Sequence, residues 1–163
     1  MVGFAAVFIL LACGAAYAAD VVGLVNSQKI MFQHPRFDEA SKILIFFTRP
    51  LEGNLALILE REKDPERRQM IMDFSTHVSE FSAMDRAISE EKDPEKKEML
   101  WEDRQNKLKE FEAGLMSPIF RECRKAIQTV MADKKMTVLL EVDAAYYGGT
   151  DITEDVILLL KRP

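Results

Sequence analysis

Few side chains in this sequence have the type and spacing that enzyme chemistry requires. There are two histidines, His34 and His77, and neither has a second histidine or a cysteine three or four positions further on. The one adjacent glycine pair, Gly148-Gly149, lacks the flanking pattern of a phosphate-binding loop. The carboxylates lie in mixed-charge stretches that are typical of solvated helix surfaces. The sequence therefore predicts no catalytic residue, no metal site and no cofactor, and it predicts that the protein is not an enzyme.

The cysteines allow other chemistry. Cys123 has basic neighbours, among them Arg121 and Arg124, and a cation facing a thiol lowers its pKa. A cysteine that continues a helical series of apolar residues is, however, more typically a small buried side chain, and we prefer that interpretation. An intermolecular disulfide in an oxidising compartment is the alternative.

The N-terminal segment predicts export. The first nineteen residues contain no Asp, Glu, Lys or Arg, and their apolar block is too short to cross a bilayer. Ala16-Tyr17-Ala18 fits the small-x-small pattern of a signal peptidase site, so residues 1–18 are predicted to be a cleavable signal, although the usual basic residue at its start is missing. The tetrad that ends at Cys13 resembles a lipobox, and lipidation there is the competing interpretation.

Composition excludes several classes of protein. The 163 residues carry a formal net charge of −5, and 48% of them are hydrophobic while 30% are charged. Such a chain is neither a bundle of membrane spans nor a disordered polymer. Nucleic-acid binding requires clustered Lys and Arg, so nucleic acid is a poor candidate partner, and any membrane contact is expected to be peripheral.

Two short apolar runs at the ends of the mature chain predict β-strands. Residues 20–26 read DVVGLVN, and residues 137–142 read TVLLEV. Ser27 is predicted to cap a brief helix up to Phe32, and His34-Pro35 should break the chain. Two strands form a marginal sheet, so they are expected to pair with each other, with more strand from residues 144–147, or with other subunits.

The middle of the chain, from about residue 37 to 134, consists mostly of helix formers with informative interruptions. Pro50 and Gly53 should kink or restart the first helix. Residues 62–70 (EKDPERRQM) and 91–99 (EKDPEKKEM) are near copies, each with an Asp-Pro-Glu helix start. They are interpreted as two independent helix restarts rather than as a repeat module, because solenoids need at least three repeats. Gly114 and Pro118 predict a further interruption.

Apolar residues in this middle region step by three and four, the spacing of coiled-coil helices. The first stripe comprises Ile71, Phe74, Val78, Phe81 and Ile88, and the second comprises Trp101, Leu108, Phe111 and Leu115. Asp85 and Arg104 each occupy a position of a stripe, so the seam is expected to be imperfect. Two such helices are expected to fold back on each other, with the turn near residues 76–86 or at an Asp-Pro break.

The C-terminal end predicts a turn and a last helix. Gly148-Gly149 mark the turn. Asp151 and Glu154 fit a capping box for a helix that reaches about Lys161.

The order of these elements and the two ends of the sequence resemble the Skp/OmpH family of periplasmic chaperones. The resemblance rests on residues 21–37 (VVGLVNSQKIMFQHPRF) and on residues 115–160, within which Ser117-Pro118-Ile119, Ala126-Ile127 and Asp151-Ile152-Thr153 are the recognisable signatures. The helical region between them matches only in length and helical character.

The resemblance implies an α+β, mostly α, fold in which a long antiparallel helical hairpin is inserted between short terminal strands. The implied divisions are residues 1–18 (signal), 19–36 (first part of a β-containing body), 37–114 (hairpin tentacle) and 115–163 (the rest of the body). It also implies a homotrimer that holds unfolded outer-membrane proteins in the periplasm between its tentacles, without ATP. The trimer body would include Val22, Leu24, Val138, Leu140 and Ile152.

Client binding is expected along the tentacle, at Met70, Met72, Phe74, Phe81, Met84 and Met99, because methionine adapts to varied partners. Plain packing is the alternative for the methionines, and for Phe74 and Phe81 packing in a coiled-coil core is the more common role. One departure from the family concerns charge. Well-known members are strongly basic, whereas residues 60–110 here carry 11 Lys and Arg against 15 Asp and Glu, a net charge of −4. Apolar capture that tolerates salt is therefore expected, with no lipopolysaccharide role. A structural envelope spacer, anchored at Cys13, is the alternative function.

Overall fold

The first strand and the helices that follow it begin where short polar residues and prolines interrupt the apolar pattern. The computed structural model describes residues 21–146 and 148–162. In these residues the elements follow in the order β1 (Val22–Val25), α1 (Ser27–Phe32), α2 (Phe37–Thr48), α3 (Leu55–Arg61), α4 (Pro65–Asp73), α5 (Ser75–Glu90), α6 (Pro94–Asp133), β2 (Val138–Glu141), β3 (Thr150–Asp151) and α7 (Thr153–Leu160). A single 3-10 turn, Val142–Ala144, follows β2. The fold is therefore mostly helical, as predicted.

The two ends of the described chain meet in one small parallel sheet. β1 lies in the centre, with β2 on one side and β3 on the other. Val22 pairs with Val138 and Leu24 with Leu140, so the helical region forms the crossover between two parallel strands. Parallel strands need such a long connection. Both predicted strands are confirmed, and they pair with each other.

The third strand differs from the expectation for residues 144–147. It lies at Thr150–Asp151, after a turn in which Gly148 and Gly149 have φ values of 85° and 87°. Glycine adopts this conformation without the steric penalty of a side chain. The glycine turn therefore places β3, and not the segment before it, against β1.

Two separate hydrophobic cores form along the molecule. The body core collects buried residues of β1, α1 and α7 together with the C-terminal half of α6, and its fully buried members include Ile30, Ile152 and Val156. The arm core collects α2, α5 and the middle of α6 around Phe47, Phe81 and Phe111. In the following, the body and the arm are defined by these two cores. α6 contributes to both and therefore connects them.

The near-copied Asp-Pro-Glu segments fold into the same turn. Asp64 Oδ1 accepts hydrogen bonds from the backbone N–H groups of Glu66 (2.9 Å) and Arg67 (3.4 Å). Asp93 Oδ1 accepts from Glu95 (3.0 Å) and Lys96 (3.4 Å) in the same way. The predicted caps and the prolines in the first helical turn are confirmed at α4 and α6.

Two other predicted caps are corrected. The cap of α1 is Asn26, whose Oδ1 accepts from Lys29 N at 2.8 Å, because the helix already includes Ser27. At α7 the Asp151 Oδ1 accepts from Thr153 N at 2.9 Å, while Glu154 bonds to Lys29 Nζ at 2.5 Å. Glu154 therefore connects α7 to α1.

The expected interruption at Gly114 and Pro118 is wrong. α6 runs without a break for 40 residues, with Pro118 inside it. Proline removes the hydrogen bond to the carbonyl four residues earlier, which here belongs to Gly114. Gly114 is exposed, so water can bond to its carbonyl in place of the missing N–H. The boundary drawn between residues 114 and 115 consequently lies within one continuous helix.

The chain reverses direction between α5 and α6, at residues 91–93. Asp85 contacts Arg104 and Glu80 lies near Lys107, so the two helices run antiparallel. The second Asp-Pro break is thus the position of this turn, among the alternatives that the sequence left open. The described chain before this turn is divided among five helices, of which α2 also packs against α6.

Candidate functional site

One face of the sheet carries apolar side chains that the chain itself leaves partly uncovered. Side chains alternate between the two faces of a strand, and the parallel register places Val22 beside Val138 and Leu24 beside Leu140. Val138 is 36% and Leu140 39% exposed. These four residues are called the open sheet face below.

The other face of the sheet is covered. Val25 is buried in the body core, and Leu139 packs against the same core. Ile152, which was expected in the trimer body with the open-face residues, is fully buried in this core. It directly precedes α7, whose apolar side covers the same core. Ile152 therefore stabilises the chain's own body and does not lie on the open sheet face.

The six residues predicted for client contact differ in exposure. Met99 is 68% and Met72 52% exposed, while Met70, Phe74 and Met84 are partly buried. Phe81 is fully buried, with its ring centroid 5.1 Å from that of Phe47. Its side chain belongs to the arm core and is not on the surface of this conformation. The methionines Met72 and Met99 are the accessible members of the predicted set.

A buried ion pair occupies the two polar positions of the apolar stripes. Arg104 is fully buried, and its Nε donates to Asp85 Oδ1 at 2.5 Å. Its Nη2 donates to the carbonyls of Phe47 at 3.2 Å and Arg49 at 3.0 Å. Asp85 Oδ2 accepts from Leu51 N at 2.7 Å. The pair therefore provides hydrogen-bond partners for the loop that Pro50 forces at the end of α2.

Sequence reasoning identified Asp85 and Arg104 only as defects of the seam. The two residues have opposite charges, lie on different stripes and are separated by a sequence that predicts a turn. These features could have indicated that they form an ion pair. The guanidinium also lies over the rings of Phe81 at 5.4 Å and Trp101 at 5.6 Å. The site has a structural role, because its partners are backbone groups and rings of the same chain.

A second polar cluster joins the body to the arm where α1 leads into α2. His34 is 4% exposed, and its Nδ1 accepts from the backbone N–H of Arg36 at 3.2 Å. Its Nε2 therefore carries the proton and donates to Glu122 Oε2 at 3.0 Å. The Arg36 guanidinium donates to the other oxygen of this carboxylate. One carboxylate on α6 thus fixes the break at His34-Pro35.

Replacing Glu122 with glutamine should destabilise the protein in a pH-dependent way. Partial burial raises the pKa of the Glu122 carboxyl, but the bonds from Arg36 and His34 outweigh it and hold the pKa below its ordinary value of 4.5. A carboxylate whose pKa is lower in the folded chain than in the unfolded chain stabilises the fold at pH values above its ordinary pKa. That stabilisation is lost as the pH falls through the lowered pKa. The gap in unfolding free energy between wild type and Glu122→Gln should be constant from about pH 7 to 5.5 and shrink below about pH 4.5.

Urea unfolding at several pH values measures this gap. Glu112→Gln, at an exposed position of the same helix, is the matched control and should show little difference from wild type. A gap for Glu122→Gln that stays constant down to pH 3 would show that its carboxylate charge does not stabilise the joint.

The thiol whose basic neighbours could have made it reactive, that of Cys123, has a structural role. Cys123 is buried in the body core, and this burial raises the pKa of its thiol, which confirms the preferred interpretation.

Residues 21–146 and 148–162 contain no group of three or more His, Cys, Asp or Glu side chains that could hold a metal ion. Within the same residues no helix is both long and apolar enough to cross a bilayer. Cys13 and the predicted signal lie outside the described residues.

The architecture defines a class of protein: an α+β chain in which a helical arm is inserted between the strands of one small parallel sheet. A family model described as "Outer membrane protein (OmpH-like)" matches residues 21–160. The chain therefore belongs to the OmpH-like family, whose members are periplasmic chaperones of outer-membrane proteins rather than enzymes. The resemblance drawn from the terminal sequences is thereby confirmed. A comparison with curated proteins gave no match.

Proposed function

We propose that this chain is an ATP-independent holdase of the periplasm, which keeps unfolded outer-membrane proteins from aggregating in a cavity between the helical arms of a homotrimer. The observation that carries the proposal is the family match over residues 21–160. Export through the signal at residues 1–18 and cleavage before Ala19 are parts of the same proposal.

The open sheet face supports the trimeric arrangement. One apolar face of the three-stranded sheet is not fully covered by the chain itself, and burying that face against further copies of the chain removes Val138 and Leu140 from water. The outer edges of β2 and β3 also offer backbone groups for pairing. Three copies joined through this face would leave their arms projecting around a shared space.

Client capture is proposed to rest on apolar contacts of the arm. Met72 and Met99 are accessible, and the flexible thioether side chain suits clients of varied sequence. Residues 60–110, which form part of the arm, have a net charge of −4, so they offer acidic clients no net electrostatic attraction. Burial of apolar area is non-directional and adds up over many weak contacts.

The purified mature protein should slow the aggregation of an unfolded outer-membrane β-barrel protein diluted from urea. Affinity for the client should change less than about threefold between 0.05 M and 0.5 M salt, a range over which exposed charges become screened. Light scattering follows aggregation, and a fluorescently labelled client gives the affinity. A folded, soluble α-helical protein that takes the place of the diluted client serves as the inactive comparison, because it exposes no unfolded chain.

Two outcomes would count against the proposal in different ways. A client that aggregates as fast with the protein as without it would refute the holdase function. A steep loss of affinity with salt would leave the function standing and would show that electrostatic attraction, not apolar capture, holds the client.

A further inference from the structure

Two short helices of the arm, α3 and α4, have fewer buried side chains than the helices on either side of them. None of the seven residues of α3 is buried, although five of them are apolar. In the nine residues of α4 only Ile71 is buried. Helices of this length are marginal unless tertiary packing holds them. Residues 55–73, which comprise both helices, are called the lid segment below.

Two clefts separate the lid segment from α2. Their volumes are about 500 and 540 Å³, and both are bounded by Lys42 on α2 and by Glu66, Arg67 and Met70 on α4. The Lys42 ammonium group contacts Asp38 of its own helix at 2.8 Å. Side chains that face a gap lose the dispersion attraction that close packing provides. The packing of α4 against α2 therefore contributes little to holding the lid segment.

Polar side chains of the lid segment bond to neighbours in the same segment. Arg67 Nε lies 3.5 Å from Glu62 Oε2, and Gln69 Nε2 donates to Asp73 Oδ1 at 2.8 Å. The Asp64 cap of α4 is local in the same way. Contacts of this kind survive when a segment moves as one piece. They join α3 and α4 to each other's flanks and do not tie the segment to the rest of the arm.

The loop before the lid segment, residues 49–53, is by contrast fixed to the arm. Asp85 and Arg104 bond to its backbone, as described for the buried ion pair. Ser82 Oγ donates to the carbonyl of Gly53, where the loop ends. These three side chains belong to α5 and α6, so the loop remains in place if the lid segment moves.

The backbone at each end of the lid segment has a conformation suited to a hinge. Gly53 has a φ of 97°, which glycine adopts without the steric penalty of a side chain. Phe74 separates α4 from α5 with φ of −105° and ψ of 22°, outside the helical region. Hinges are typically a few residues in loops or at the ends of elements, and they absorb the change in φ and ψ.

We propose that the lid segment opens as one unit about Gly53 and Phe74 while α5, α6 and the body stay folded. Ile71 is fully buried in the arm core, and Leu55, Ile58 and Leu59 pack against this core without being buried. Opening withdraws these side chains and uncovers part of the arm core. It disrupts little buried apolar area, so it requires less free energy than global unfolding. This inference goes beyond the proposed function and does not depend on it.

Hydrogen exchange of the purified mature protein, followed by mass spectrometry of its peptides, tests the proposal. Backbone amides of α3 and α4 should exchange at least about a hundredfold faster than the slowest amides of α5 and α6. Ile71→Ala should accelerate exchange in both short helices by the same factor, at least about thirtyfold, because α3 opens only together with α4. Met72→Ala, at a neighbouring position that is 52% exposed, is the matched control and should change little.

Two further variants complete the experiment. Ile71→Val should accelerate the same amides by about twofold to tenfold, and it keeps the test available if the alanine variant does not fold. Val130→Ala weakens the body core, where Val130 is 6% exposed. It should accelerate the amides that exchange only through global unfolding and leave those of the lid segment unchanged.

Either of two results would overturn the lid. Amides of α3 that do not respond to the substitutions of Ile71, while those of α4 do, would show that the two helices fray separately. Lid-segment amides that respond to Val130→Ala as strongly as the slowest amides of α6 would show that they exchange only when the whole chain unfolds.

Discussion

The Arg104→Met variant is expected to lose about 3–5 kcal/mol of unfolding free energy, the largest effect of any single substitution considered. The side chain of Asp85 is only 6% exposed and would lose its cation, and the carbonyls of Phe47 and Arg49 would lose their donor. Methionine fills a similar volume, so the loss reports the charge and hydrogen bonds rather than a cavity. Urea unfolding at one subunit concentration measures it.

Two further variants isolate the cause. Arg121→Met, at an exposed position of the same helix, should change stability by less than about 0.5 kcal/mol. The double variant Asp85→Leu/Arg104→Met removes both charges but should recover only part of the loss, because Leu51 N–H and the carbonyl of Arg49 still lack partners. A loss below about 1 kcal/mol for Arg104→Met would contradict the role assigned to the pair.

Replacing Leu140 with aspartate is expected to abolish assembly at micromolar concentration. Leu140 lies on the open sheet face beside Leu24 and is 39% exposed in the single chain. In the proposed trimer every subunit would bury an unpaired carboxylate at this position, so the concentration needed for assembly should rise more than about a hundredfold. Sedimentation velocity measures the change.

The control for assembly is Leu158→Asp. Leu158 lies on α7 and is 60% exposed, so it offers the same substitution at a more exposed position away from the open sheet face. This variant should sediment as wild type does. Leu140→Asp subunits that remain assembled, or a wild-type chain that is a folded monomer at micromolar concentration, would exclude the open sheet face as the assembly surface.

Local signals in the sequence were enough to predict most of the helix starts and both main strands. Asp64 and Asp93 cap helices as expected, because a cap depends only on the next three residues. Gly53 likewise ends the loop after Pro50, with φ of 97°. Such features require no knowledge of which distant residues meet.

Features that depend on distant partners were missed or left open. Asp85 and Arg104 were interpreted as defects because nothing local shows that the two are in contact. The position of the turn was left among three segments, since two of them contain an Asp-Pro break and the third lies near the midpoint of the sequence. Pro118 was expected to end a helix, but packing of Ile119 and Cys123 into the body core holds α6 together beyond it. Tertiary contacts override local preference in each case.

The candidate surfaces were predictable to different degrees. Val22, Leu24, Val138 and Leu140 were grouped through the family resemblance, and they share one sheet face because side chains alternate along each strand. The contact of Phe74, His77 and Phe111 was not predicted, because these rings come from the residue before α5, from α5 and from α6, and the sequence does not specify how these elements align. Phe81 was assigned to a surface for the same reason, although it lies in the arm core.

The pairing of β1 with β2 has a consequence for the order of events during folding. Val22 meets Val138 only after the 115 residues between them have been made and brought together. Closing a loop of this length by chance costs about 4 kcal/mol in its length-dependent part alone. Helices α5 and α6 meet across shorter separations, as Asp85 and Arg104 do, and they shorten this loop when they form. We therefore expect the sheet, and with it the surface proposed for subunit contact, to be completed after this part of the arm has folded.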